Sequence, residues 1–120
     1  MAGATAALLV IAIAACGSTS SQASTSAVSG SALTRDCTAV ADVLADGPDP
    51  DADSVGYAEA QVLPLRQLKL SDTALSRDVQ ALAQAYQSFS SGSGAGSHAA
   101  AAAVTKAESS VNSICPQAAP

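Results

Sequence analysis

The sequence predicts an all-α fold: an antiparallel up-down-up-down four-helix bundle closed by one disulfide, preceded by a signal peptide and a disordered tether. Three observations carry this. Apolar residues recur at helical spacing in four stretches between Leu33 and Ile114. Breaks rich in Gly, Pro, Asp and Ser separate those stretches. Cys37 stands at the start of the first and Cys115 at the end of the last. A chain of 120 residues has room for one domain. The expected divisions are a leader over 1–15, Cys16 with a flexible tether over 16–32, the helical domain over 33–116, and a tail over 117–120.

Thr34 is the expected N-cap of the first helix, with Leu33, Cys37, Val40, Ala41 and Leu44 at helical spacing behind it. Asp46-Gly47-Pro48 ends that helix. A second begins near Asp53, whose carboxylate caps it, and carries Val55, Ala58, Val62 and Leu65 on one face, with Leu63 and Leu68 widening the stripe. Pro64 lies inside it and removes one backbone hydrogen bond, so a kink or break is expected there. Ser71-Asp72 opens the third helix. Its Leu75, Val79, Leu82, Tyr86 and Phe89 alternate steps of four and three, the seam of a bundle helix, with Gln80, Gln84 and Gln87 on a polar row beside it. A Gly-Ser turn leads to Ser97 and the fourth helix, which repeats the seam with Ala100, Val104, Ala107, Val111 and Ile114 until Pro116 ends it.

Up-down-up-down connectivity brings the start of the first helix and the end of the fourth to the same end of the bundle, and so pairs Cys37 with Cys115. Closing a loop of about 78 residues stabilises by roughly 4–5 kcal/mol in the chain-entropy treatment. The constraint matters, because hydrophobic residues make up 48% of the chain but many are alanine, and there is no Trp. Large side chains contribute about 1.5–3 kcal/mol each when buried, and here they are few.

The apolar run Ala7–Ala15 falls short of the about 20 residues a membrane span needs and has the length of a signal-peptide core. Ile13-Ala14-Ala15-Cys16 resembles the bacterial lipobox: an aliphatic residue, two small ones, then the cysteine that receives a diacylglyceryl group. The resemblance implies cleavage before Cys16 and a membrane anchor through it, on the extracytoplasmic face of the cell membrane. No Lys or Arg precedes the run, which departs from the usual basic leader and points either to a start upstream of Met1 or to a weak signal. Lipidation of Cys16 also settles an odd cysteine count, leaving Cys37 and Cys115 as a pair. Acyl chains anchor at about 0.8 kcal/mol per buried methylene. Ser18–Ser31 is a Ser, Thr, Ala and Gly run without apolar periodicity and reads as a flexible coil.

The formal net charge of −5, with Arg35, Arg66, Lys69, Arg77 and Lys106 scattered, argues against nucleic acid and against a polybasic membrane patch. Asp49, Asp51 and Asp53 match the opening ligand positions of an EF-hand loop and form a weak calcium candidate. Ser54 replaces the turn glycine and Ala60 the bidentate glutamate, so a solvated acidic turn whose last Asp caps a helix fits better. His98 stands alone at the start of the fourth helix, without the partners of a zinc site or a nucleophilic triad. Glu59 and Glu108 form no paired-carboxylate signature. No catalytic residue and no cofactor are expected.

The second helix remains. Tyr57, Glu59 and Arg66, bracketed by Gly56 and Pro64, are the expected partner-binding residues, since interfaces favour Tyr and Arg. The reading favoured over it is that Tyr57 packs on the rim of the core and Pro64 only shapes the bundle. The whole chain resembles small exported actinobacterial lipoproteins, through its lipobox, its Ser/Thr-rich tether, its cysteine-bracketed helices and the stretch Asp49–Gln61. That resemblance implies location rather than activity. Cys37-Thr38-Ala39 and Cys115 also resemble, more loosely, mycobacterial haemophore-type domains, although their Tyr- and His-containing central motif is absent. Tyr57, Tyr86 and His98 are the plausible axial ligands. The expectation is a non-catalytic surface module binding a protein or envelope component, with a carrier of haem or another apolar ligand as the alternative.

Overall fold

The computed structural model describes residues 20–118, with side chains from Gly30 onward; the leader and Cys16 lie outside the described residues. Within this range the protein is all-α, with four helices and no strand: α1 (Ser20–Ala45), α2 (Ser54–Gln67), α3 (Thr73–Ser90) and α4 (His98–Ile114). Three expected caps are in place. Asp53 accepts from the Gly56 N–H at 2.9 Å, Asp72 from the Leu75 N–H at 2.8 Å and Ser97 from the Ala100 N–H at 3.2 Å. Each satisfies an N–H that the first turn of a helix otherwise leaves without a partner.

The first helix differs from expectation. It starts at Ser20, so Thr34 lies in its interior rather than at its cap, and helical backbone covers most of the stretch expected to be coil. Thr34 and Thr38 turn their hydroxyls back onto the carbonyls of Gly30 and Thr34, each at 2.9 Å, the habit of threonine inside a helix. The cause is cooperative. Leu44 and Val40 fix the C-terminal half of α1 in the core, and adding turns to a formed helix costs far less than starting one. No proline lies between Ser20 and Ala45 to stop it.

The second helix departs in two ways. It passes through Pro64 without breaking and ends at Gln67, because Pro64 removes a single hydrogen bond close to the C-terminus while Leu65, fully buried, holds the chain on the core. Its inward face is Tyr57, Ala58, Gln61 and Leu65: Ala58 and Leu65 are buried as expected, Tyr57 and Gln61 are buried in place of Val55 and Val62, which are half-buried, and Leu63 is 62% exposed.

The core is centred on α3, which packs against both α2 and α4. Leu75, Val79, Leu82 and Tyr86 are buried, as the seam predicted, and Ala83 joins them; Phe89, the last seam position, is half-buried, and Gln80, Gln84 and Gln87 lie outside. Val111 is the buried residue of α4; Ala100, Val104, Ala107 and Ile114 are half-buried. Past Pro116 the chain turns back, the Ala118 N–H meeting the Cys115 carbonyl at 3.0 Å, and Ala118 is buried in the core rather than free in a tail.

Helix α1 shares a narrower interface with the rest, through Val40 and Leu44, and is fastened at two adjacent residues. Cys37 is disulfide-bonded to Cys115, 78 residues away, as expected. Asp36, only 3% exposed, accepts from the N–H groups of Ser71 at 2.6 Å and Asp72 at 2.9 Å. It therefore ties α1 to the start of α3. Beside it Arg35 reaches the Ser71 hydroxyl at 3.2 Å. The other end of α1 is closed by α2. The Tyr57 hydroxyl donates to the Leu44 carbonyl at 2.7 Å, and the Gln61 Nε2 donates to the Asp46 carbonyl. Those carbonyls have no partner within the helix, so the neighbouring helix supplies one. Gly47 then turns the chain away at φ +114°, a conformation glycine adopts at no steric cost.

Candidate functional site

Between the C-terminal end of α1 and the middle of α2 lies a cleft of about 260 Å³. Asp42, Asp46 and Gly47 line one side and Ala60, Gln61 and Pro64 the other. Asp42 and Asp46 are one helical turn apart, which sets both carboxylates on the same face. Asp46 Oδ1 accepts from the Gly47 N–H at 3.0 Å. On the α2 side, Pro64 has no N–H to offer the carbonyl of Ala60, so that oxygen is left without its helical partner. Gln61 is 2% exposed, and its Oε1 has no hydrogen-bond partner. Its amide cannot simply be reversed, because reversal would place Oε1 against the Asp46 carbonyl oxygen, two acceptors together. The wall of this cleft thus combines the Asp42 and Asp46 carboxylates with the apolar surface of Val43, Ala60 and Pro64, and no Lys, Arg or His contributes to it.

A second cleft, of about 170 Å³, opens among α2, α3 and α4 and is largely apolar, with Pro50, Phe89 and Val104 on its walls. Tyr57 and Tyr86 meet there edge to face, their ring centroids 5.8 Å apart and their planes at 88°. The Tyr86 hydroxyl donates to Glu108 Oε1 at 2.9 Å. Burial above all, and then the Glu108 carboxylate, pushes the Tyr86 phenol well above its ordinary range. Burial also raises Tyr57, opposed by its contact with Tyr86 and reinforced by Glu108. Both phenols are held neutral, and both hydroxyls are engaged.

The structure does not bring the expected partner-binding residues onto one surface. Tyr57 points into the core, 5% exposed, in agreement with the favoured reading of core packing and against an exposed partner-binding role for its ring. Glu59 is exposed. Arg66 is exposed and donates to Gln87 Oε1 on α3. In the acidic turn, Asp49 accepts from the Asp51 N–H at 2.9 Å and Asp53 caps α2, so two of the calcium-candidate carboxylates serve the backbone. Among the described residues no group of three or more His, Cys, Asp and Glu is placed to hold a metal ion. His98 is exposed at the first position of α4.

Gln61, Asp42 and Asp36 were not among the expected functional residues. Gln61 had a usable signal: Ala58, Gln61 and Leu65 share a helical face as well as Ala58, Val62 and Leu65 do. A polar residue at that spacing reads as solvated until the neighbouring carbonyl is known. Asp36 read as a first-turn acid and instead holds the two backbone N–H groups just ahead of α3. No protein-family model, no curated protein and no solved structure matches the chain.

Proposed function

We propose that the chain is a small exported lipoprotein, held by a diacylglyceryl group on Cys16 at the extracytoplasmic face of the cell membrane, whose helices form an up-down-up-down bundle acting as a non-catalytic interaction module. Residues 16–32 hold the bundle off the membrane, and the surface around α2 meets a protein or envelope partner. The observation that carries this reading over a carrier is the filled interior. Tyr57, Leu65, Leu82, Tyr86 and Val111 pack where a ligand cavity would lie, all 5% exposed or less. The two clefts described above, about 260 and 170 Å³, are both smaller than ordinary small-molecule pockets of about 300–1,000 Å³. The tyrosine hydroxyls a haem iron would use are committed to Leu44 and Glu108.

Palmitate labelling lost in Cys16→Ala tests the anchor. Haemin titration of the purified protein tests the module against the carrier: an unshifted Soret band is expected, and a shifted band at stoichiometric haem overturns the ranking. Photo-crosslinkers placed at Glu59 and Arg66 in cells should trap a partner that a probe at buried Tyr57 does not. Silence at both exposed positions refutes the interaction role at this surface.

A further inference from the structure

The cleft among α2, α3 and α4 gathers the aromatic side chains of a chain that has few. The sequence holds two Tyr, one Phe and no Trp, and Tyr57, Tyr86 and Phe89 all line this one space. The two phenol rings meet at right angles, and Phe89, one turn beyond Tyr86 on α3, is half-buried nearer solvent. Pro50, Ala58 and Val104 make the rest of the wall mainly apolar. Among them stands a single charge, Glu108. Its half-buried side chain accepts from the Tyr86 hydroxyl, and among the described residues no Lys, Arg or His forms an ion pair with it. Asp36, the most deeply buried carboxylate among those residues, is treated differently: it receives two backbone N–H groups and has Arg35 beside it. A neutral acceptor at position 108 would satisfy the Tyr86 hydroxyl as well, so the charge of Glu108 has no use within the fold.

Aromatic rings attract a cation over their faces, most strongly where water is excluded, and a nearby carboxylate adds to that attraction. The chain's excess of acidic residues, ten against five basic, favours the same sign of ligand. What the cleft lacks narrows the choice. A primary ammonium or a guanidinium brings several N–H groups that each need an acceptor, whereas Glu108 is the one charged acceptor on this wall. A quaternary ammonium carries its charge behind methyl groups, donates no hydrogen bond and matches apolar surface. At about 170 Å³ the cleft is below the about 300–1,000 Å³ of ordinary ligand pockets, so its occupant is a group of few heavy atoms. No Lys, Arg or His lines it, so a phosphate joined to the cation would have no partner, which favours a free cation over a phospholipid headgroup. We propose that this cleft binds a small quaternary ammonium of the choline type, its methyl groups against Tyr57, Tyr86 and Phe89 and its charge balanced by Glu108. The site goes beyond the interaction role proposed above and does not depend on it.

The test uses the full-length isotope-labelled protein in a maltoside detergent, which carries no ammonium group, with probes followed by chemical shifts. The probes are choline, its uncharged carbon isostere dimethylbutanol, the primary amine ethanolamine, and phosphocholine. Choline should move Ser54, Phe89, Val104 and Thr105 saturably, and dimethylbutanol should bind about tenfold more weakly. Glu108→Gln keeps the side-chain shape and an acceptor for the Tyr86 hydroxyl. It should weaken choline about tenfold and leave dimethylbutanol unchanged. Phe89→Leu keeps an apolar wall without a ring face and should weaken choline about threefold, with little effect on dimethylbutanol. Helical circular dichroism and urea midpoints verify that each variant is folded, and either variant alone suffices for the comparison. Equal binding of choline and dimethylbutanol, a choline response untouched by both substitutions, or no saturable shift with any probe overturns the proposal. Tighter binding of ethanolamine than of choline would make this a site for N–H donors, and tighter binding of phosphocholine a site for a phospholipid headgroup. Either result refutes the assignment to a free quaternary ammonium.

Discussion

Asp36 should be the most sensitive surface-distant residue of the fold. In Asp36→Ala the N–H groups of Ser71 and Asp72 lose the carboxylate oxygen they share at 2.6 and 2.9 Å, and a side chain only 3% exposed is removed. Hydrogen bonds to a charged acceptor contribute about 1.5–3 kcal/mol each. Ser71 is exposed and Asp72 half-exposed, so water replaces part of what is lost, and the expected cost is about 2–3 kcal/mol. Asp36→Asn keeps an acceptor oxygen without the charge and should cost about 1 kcal/mol. Urea unfolding followed by helical circular dichroism, with the disulfide intact, measures both. Because Cys37 is the next residue, the two fastenings of α1 should couple: Asp36→Ala should cost more in a Cys37→Ser/Cys115→Ser background, by about 0.5–3 kcal/mol. A variant within about 0.5 kcal/mol of the parent, or strict additivity with the disulfide, would refute the view that this carboxylate fastens α1 to α3.

Reduction of Cys37–Cys115 should lower stability by as much as about 4–5 kcal/mol, read as a fall in the urea midpoint on adding a thiol; an unchanged midpoint sinks the entropic account. The raised phenols give alkaline sensitivity: below about pH 10 both states hold the tyrosine protons. Above it the unfolded chain loses them first, so stability falls by up to about 1.4 kcal/mol per pH unit for each tyrosine. Urea midpoints across the alkaline range check this, and Tyr86→Phe should flatten the slope. Gly47→Ala should cost about 1–2 kcal/mol, since φ is +114° and the new Cβ would lie 3.1 Å from Gln61 Nε2. An unchanged thermal midpoint counts against it. Gly56→Ala should lose the α2 cap, because its Cβ would fall 2.3 Å from Asp53 Oδ2, with a cost of about 1 kcal/mol by thermal unfolding.

The sequence carried α3 and α4 well because their signals are local. Caps at Asp72 and Ser97 and a seam from Leu75 to Tyr86 need nothing but spacing to be read. The disulfide followed from cysteine placement. What escaped was whatever depends on a neighbour. Ser20–Ala32 has no pattern of its own and is helical because the turns after it are anchored. Pro64 interrupts the sequence signal of α2 but not the helix, since Leu65 is held from outside. The cleft was legible only in part: Pro64 and the freed Ala60 carbonyl were visible, while Gln61, Asp42 and Asp46 acquire meaning only when α1 is laid beside α2.

Several helix ends here are closed across the gap rather than along the chain. The last carbonyls of α1 are met by Tyr57 and Gln61 of α2, and the residues opening α3 are met by Asp36 of α1. The end of α1 and the entry to α3 therefore complete their hydrogen bonding only when a neighbouring helix is in place. Intermediates with α1 detached would leave both junctions open, which penalises that partial structure and favours unfolding in a single concerted step. A chain with so thin a core can thus be cooperative out of proportion to the apolar surface it hides.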